Sequence, residues 1–219
     1  MSKILFLYPN KQGHGITAIW IPSHSAVLKS KGHSVELFDG TFFKNWTVDE
    51  TAFNTKNKMY KPSDYSTFVS FTNDDIYESL QNHINEFQPD IIFWSALSSH
   101  IHGEGEYVSI EYGYELIKKV SSDAIKIAGG LQATAAPDEM CKKFPDVDYF
   151  ISGESEFVIA EVADRLQQKK SLDKINGLFA NDKEPRLVGR QDIISDLDRI
   201  PPYDYGIFED QTFFRPYNG

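Results

Sequence analysis

The run Ile4-Leu5-Phe6-Leu7-Tyr8 is apolar at every position and is stopped by Pro9-Asn10. A strand with one wet face alternates apolar and polar residues, so an unbroken apolar run marks a strand buried on both faces, as in a parallel sheet. Such a sheet needs crossover helices, and the following sequence supplies them. Residues 18–31 have helical character and are closed by Gly32, after which residues 34–38 read as a second strand ending at Asp39-Gly40. The rhythm resumes with helix 75–87, strand 90–95, helix 107–121, strand 124–128, helix 137–144, strand 147–152 and helix 154–168. Because βαβ crossovers are right-handed and must cover a face, this alternation predicts a doubly wound, mostly parallel α/β domain over residues 1–170.

Two segments fall outside the rhythm. Residues 41–72 are polar and aromatic without a sustained period, and read as an insertion or lid. Residues 171–219 form a small carboxy-terminal extension, with an edge strand expected at 175–179 and an extended, proline-stopped segment at 196–202. The tail beyond, rich in Tyr and Phe, is too aromatic for a free linker.

Composition narrows the function. A chain of 219 residues with 41% hydrophobic and 14% aromatic content can bury one large core. A net charge of −10, with no cluster of Lys and Arg, argues against nucleic acid or an anionic membrane as partner. Cys141 is the sole cysteine, so the chain forms no internal disulfide and offers neither a zinc ribbon nor a three-cysteine iron–sulfur site; a reducing, cytoplasmic location is expected. The amino terminus lacks signal-peptide features, and no apolar run approaches the ~20 residues of a membrane span.

Open α/β sheets bind ligands outside the carboxyl ends of their strands, so the segments after each strand are the candidates. These are Asn10-Lys11-Gln12-Gly13-His14-Gly15, Ser95-Ala96-Leu97-Ser98-Ser99-His100, Gly129-Gly130-Leu131-Gln132 and Gly153-Glu154-Ser155-Glu156. Small residues there let backbone approach a large flat ligand, while hydroxyls and peptide N–H groups can serve its amides or phosphate. Neither G-x-G-x-x-G after the first strand nor G-x-x-x-x-G-K-[ST] is present, which removes the usual phosphate cradles. His100-x-His102-x-Glu104 has metal-ligating types but no further ligand in view, and reads as a polar rim; no dedicated metal site is expected. Gly153-Glu154-Ser155-Glu156-Phe157 lacks the second glycine of a nucleophile elbow, and Glu154 reads as a helix-start carboxylate.

In order along the chain, these segments resemble the cobalamin-binding domains with motifs D-x-H-x-x-G, S-x-L and G-G. Ser95-Ala96-Leu97 matches the second and Gly129-Gly130 the third, whereas residues 10–15 offer no Asp-x-His. That departure is shared with the amino-terminal domains of cobalamin-dependent radical S-adenosylmethionine enzymes. The stretch Gly129 to Glu139 is similar to their G-G-x-H-x-T-x-x-P-E-E, with Gln132 for His. Asp148 to Glu156 is similar to D-x-x-x-x-G-E-G-E, and Asp196 to Asp204 to the D-L-D-x-[IL]-P-x-P-x segment preceding the radical barrel.

The resemblance implies a Rossmann-like, flavodoxin-like cobalamin-binding fold. It implies a cofactor site built from Asn10, Gly13, His14, Gly15, Ser95, Leu97, Ser98, Ser99, His100, Gly129, Gly130, Leu131, Gln132, Gly153 and Glu154, with no catalytic residue. The corrinoid's nucleotide tail would pass between Ser95 and Gly129-Gly130. A downstream barrel of the parent protein, of methyltransferase or cyclase type, would carry the iron–sulfur cluster and S-adenosylmethionine, neither held by this chain. The chain is thus expected to be a fragment or a stand-alone relative, inactive alone. Two alternatives remain open at this level: a corrinoid carrier or sensor with residues 41–72 as cap, and a flavodoxin-like flavin or nucleotide module.

Overall fold

The computed structural model describes residues 1–11, 18–47, 56, 64–96, 110–182, 186–187, 189, 191 and 193–214. Five strands, β1 (Lys3–Tyr8), β2 (Ser34–Asp39), β3 (Ile91–Ala96), β4 (Ile125–Gly130) and β5 (Tyr149–Ile151), pair in parallel. Two short strands, β6 (Leu178–Ala180) and β7 (Arg186–Leu187), continue the sheet antiparallel. The order β2-β1-β3-β4-β5-β6-β7 is the flavodoxin-like winding, with its switch point between β1 and β3.

The sheet is covered on both sides, which is why β1 is apolar and buried from Ile4 to Leu7. Ile4, Phe6 and Tyr8 face one core with Phe93, Ile127 and Ile151, roofed by α1 (Trp20–Ser30) and α6 (Glu156–Gln167). Leu5 and Leu7 face the other with Ile92, Trp94, Ala128 and Phe150, roofed by α2 (Ile76–Phe87) and α3 (Ile110–Ile117). Two further short helices, α4 (Leu131–Ala135) and α5 (Pro137–Lys143), follow β4.

Local chemistry sets the element ends. Asp75 caps α2 by accepting from the amides of Tyr77 and Glu78 at 2.9 and 3.1 Å. Ile76, Leu80, Ile84 and Phe87 form its buried stripe, and Gln88 ends it in the left-handed conformation. On α3, Gly113 lies so close to β3 that a Cβ would stand 2.3 Å from Trp94 Cδ1.

Three expectations about the irregular segments change. The predicted insertion is sewn into the fold at its base: Phe43 bridges Thr72, the Lys44 amide donates to the Thr72 carbonyl at 3.1 Å, and Phe42, Trp46 and Val69 are buried. The strand expected at the edge over 175–179 is shifted to β6 and lies inside the sheet, because Lys174 and Gly177, both at positive φ, turn the chain first and β7 covers it. The segment 196–202 is not fully extended: Leu197–Arg199 forms a 3₁₀ turn. Beyond it Asp204 hooks onto α1, accepting from Ser25 Oγ at 2.5 Å and Lys29 Nζ at 2.6 Å, and Phe208 enters the α1/α6 core.

Candidate functional site

At the carboxyl ends of β3 and β4 the pairing places Ser95 beside Gly129 and Ala96 beside Gly130. Four adjacent positions thus carry two glycines, an alanine and a serine that is 7% exposed. Gly129 could carry a methyl group but has no excess of room: a Cβ there would make ordinary contact with the Phe93 ring at 3.4 Å and Ser95 Oγ at 3.8 Å. Gly130 has a different role. At φ 106° and ψ −174° it occupies a region essentially closed to residues with a side chain, and this turn sends the chain straight from β4 into α4.

Thr134 fixes that turn. Its hydroxyl donates to the Gly130 carbonyl at 2.9 Å and accepts from the Gly153 amide at 3.0 Å, so one side chain ties the ends of β4 and β5 together. Thr134 falls within the motif stretch Gly129 to Glu139, and its i+4 spacing from Gly130 is the sequence signal for this contact.

The described residues of the neighbouring turns are largely held by contacts of their own. Asn10 is 2% exposed and its amide donates to Thr41 Oγ1 at 2.9 Å, so it shapes the exit from β1. Lys11 Nζ pairs with Glu115 at 2.8 Å and lies over the rings of Trp46 and Tyr112. Gln132 sits half-buried in α4 and Leu131 is 61% exposed at its start. Ile19, immediately before α1, is 62% exposed. Gly153, at φ 100°, packs near Gln191, and Glu154 accepts from the Ile194 amide. Glu154 therefore anchors the carboxy-terminal extension. It is not the helix-start carboxylate expected from sequence, because α6 begins two residues later, at Glu156. Gly13, His14, Gly15, Leu97, Ser98, Ser99 and His100, together with His102 and Glu104, lie outside the described residues.

Beneath Gly129, on the α1/α6 side, sits a group that the sequence did not disclose. His24 stacks on Phe93 with ring centroids 5.5 Å apart, and Trp20 stands edge-on to Phe6 and Phe93, each at 5.3 Å. His24 Nε2 meets Ser155 Oγ at 2.7 Å and its Nδ1 meets Ser23 Oγ at 3.1 Å; Ser23 in turn donates to Glu156 at 3.2 Å. With Ser23 donating to Glu156, its oxygen accepts from Nδ1–H, and Nε2 accepts from Ser155. Burial holds His24 below the ordinary histidine pKa against the opposing charge of Glu156 and a Trp20 backbone contact, which fits this neutral tautomer. The i, i+4 spacing of Trp20 and His24 puts them on one face of α1, but nothing in the sequence says that this face meets the strand ends.

Asp39, at the end of β2, is also perturbed. Its Oδ1 accepts from the Thr41 amide at 2.8 Å, while Oδ2 is enclosed without a partner although the residue as a whole keeps some solvent contact. Burial pushes its pKa up to about 6, opposed by Thr41 and aided by Glu209. An ordinary aspartate titrates near ~3.9. Above pH 6 the folded state therefore carries a penalty that fades as the pH falls through about 6 and is gone near the unfolded pKa. Asp39→Asn is expected to stabilise the protein by about 1–2 kcal/mol at pH 8, the two-unit shift discounted for partial solvation, with the gain vanishing near ~pH 4. Thermal melts across that range check it; a gain that does not depend on pH would contradict it.

No group of three or more His, Cys, Asp or Glu suited to a metal occurs among the described residues, and no helix there is long and apolar enough to cross a membrane. The strand ends around Ser95 and Gly129 present no charged side chain among the described residues.

No family model matches the chain. It is 24% identical over 218 residues to the anaerobic magnesium-protoporphyrin IX monomethyl ester cyclase of Rubrivivax gelatinosus, covering 94% of this chain and 33% of that protein. It is 26% identical over 149 residues to the cyclase of the same name from Cereibacter sphaeroides, covering 66% and 23% respectively. Among solved structures, the radical S-adenosylmethionine methyltransferase TsrM from Kitasatospora setae, with cobalamin and a [4Fe-4S] cluster bound, matches with a TM-score of 0.62 at 19% identity, over 86% of this chain and 31% of that one. The cobalamin-dependent S-adenosylmethionine radical enzyme OxsB, with aqua-cobalamin and S-adenosylmethionine bound, matches with a TM-score of 0.61 at 15% identity, over 99% and 26%. The structural neighbours are thus cobalamin-dependent radical enzymes that cover most of the chain, and the fold is the one the motif order implied. The chain spans about a third or less of the length of each of these proteins.

Proposed function

We propose that this domain holds a cobalamin for a radical S-adenosylmethionine enzyme of which it forms one part, in the manner of a methyltransferase or cyclase. The observation that carries the reading is the run of small residues at the strand ends, where Ser95 and Ala96 stand in register with Gly129 and Gly130 and which we read as a gap for the ligand, in a chain that shares its fold with TsrM and OxsB.

The residues present suit such a ligand. The gap at Gly129 admits the nucleotide tail to the α1/α6 side of the sheet, where Phe93 and Trp20 give an aromatic lining. Ile19 and Leu131, both exposed at the rim, offer apolar support to the flat corrin ring. Ser95 is placed to hydrogen-bond the tail, and Thr134 keeps the Gly130 turn in the shape that leaves the gap open. Cobalamin, when bound, supplies a cobalt centre able to carry a methyl group; the protein supplies position and exclusion of water. The iron–sulfur cluster, S-adenosylmethionine and substrate belong, in this proposal, to another domain of the parent protein.

The test is to mix the purified chain with hydroxocobalamin and desalt it. We expect one equivalent of cobalamin absorbance to remain with the protein; a colourless protein fraction would overturn the reading, and retention of flavin mononucleotide in a parallel experiment would favour the flavodoxin-like alternative.

A further inference from the structure

Trp20 is half-buried, yet its indole N–H is fully enclosed and has no hydrogen-bond partner among the described residues. A buried donor without an acceptor is costly, and native proteins rarely keep one unless something completes it. Its surroundings show what that could be. Trp20 lies 5.3 Å from Phe93 and 5.8 Å from His24, ring centre to ring centre, and His24 stacks on Phe93 at 21°. Phe93, itself fully buried, is also the side chain that a Cβ on Gly129 would touch, so this aromatic group lies directly beneath the Ser95 and Gly129 strand ends. The remaining polar atoms of the group are spoken for: His24 is held from both ring nitrogens by Ser155 and Ser23. The indole N–H is left as the free donor among these side chains, set among flat rings that suit a planar heterocycle.

We propose that Trp20 is a specificity-determining residue that donates to the heterocyclic base of the ligand's nucleotide tail, so that the domain selects corrinoids bearing a nitrogenous base over those lacking one; this rests on the corrinoid reading above. His24, kept neutral and fixed by Ser155, holds Phe93 and Trp20 in place and does not itself bind.

The experiment measures equilibrium binding of hydroxocobalamin and of aquacobinamide, which lacks the nucleotide tail, to the full chain and to Trp20→Phe. The wild type should bind cobalamin more tightly. Trp20→Phe should lose about tenfold for cobalamin, as expected for an uncompensated hydrogen bond, and leave cobinamide binding unchanged. An unchanged cobalamin affinity, or an equal loss for both ligands, overturns the assignment and leaves the corrinoid reading standing. Failure of the wild type to bind either corrinoid overturns both. Should Trp20→Phe not fold, the wild type still decides: the indole N–H resonance of Trp20, identified by its through-space contacts to Phe93, should move downfield with cobalamin and stay in place with cobinamide, and the absence of that difference refutes the proposal.

Discussion

Replacing Gly113 by alanine is expected to destabilise the domain by about 3 kcal/mol, at the upper end of what overpacking a core normally costs. The added Cβ would stand 2.3 to 2.6 Å from three atoms of the Trp94 indole, and Trp94 cannot step aside. It is fully buried in β3, and its Nε1 donates to the Ile110 carbonyl at 3.1 Å. Either α3 moves off the sheet or the indole loses that bond. For a chain of this size the melting temperature should fall by roughly 10 °C, which a thermal melt followed by circular dichroism reads directly. A change within about 2 °C would show that α3 is not pressed onto β3 as described. The consequence extends to function, because the same bond fixes the start of α3, which follows directly on the segment after Ser95.

Gly129→Leu should have the larger effect on binding, a loss of at least about 100-fold in cobalamin affinity, or roughly 2.7 kcal/mol. The first atom of the new side chain fits, since it meets Phe93 and Ser95 at ordinary contact distance. The rest of the isobutyl group would extend into the gap that the tail is proposed to use. Gly130 is the poorer test position. Its φ of 106° means that any side chain there costs about 1–3 kcal/mol in backbone strain, which would mix folding with binding. Far-ultraviolet circular dichroism of Gly129→Leu should match the wild type. Undiminished cobalamin binding in a folded variant would move the tail away from this gap.

Much of the fold was legible because both faces of the sheet are covered. The unbroken apolar run of β1 could belong only to a buried strand, and the order of strands and helices then left a parallel sheet with ligand-facing carboxyl ends. The α2 helix announced itself through the Asp75 cap and the Ile76, Leu80, Ile84 and Phe87 stripe. Other features depended on contacts distant in sequence. The start of α6 was placed too early because Glu154 looks like a first-turn carboxylate, whereas its partner is the Ile194 amide forty residues on. The insertion showed no period, so nothing marked Phe42, Trp46 and Val69 as core; they are buried by the bridge between Phe43 and Thr72. The five-residue α4 was read as loop, since a glycine pair followed by Leu-Gln-Ala-Thr fits a turn as well as a helix, and the choice is made by the Gly130 conformation and the Thr134 hydroxyl.

The site divided along the same line. Small residues at strand ends are visible as small residues in sequence, so Ser95, Gly129 and Gly130 could be singled out as candidates, and the structure sets them side by side. Trp20 and His24 were missed because their meeting with Ser155, itself in a candidate segment, is made by helix packing: α1 and α6 bring His24 and Ser155, more than a hundred positions apart, to within 2.7 Å.

The proposed function requires that the tail of a cobalamin leave the cobalt and pass over the small-residue ends of β3 and β4 at Ser95 and Gly129. The visible absorption spectrum of cobalamin bound to the purified chain tests this most directly, because the cobalt chromophore responds to loss of its lower nitrogen ligand. We predict one bound cobalamin per chain with the spectrum of the form whose base is detached. A bound cobalamin whose base remains on cobalt would contradict the claim.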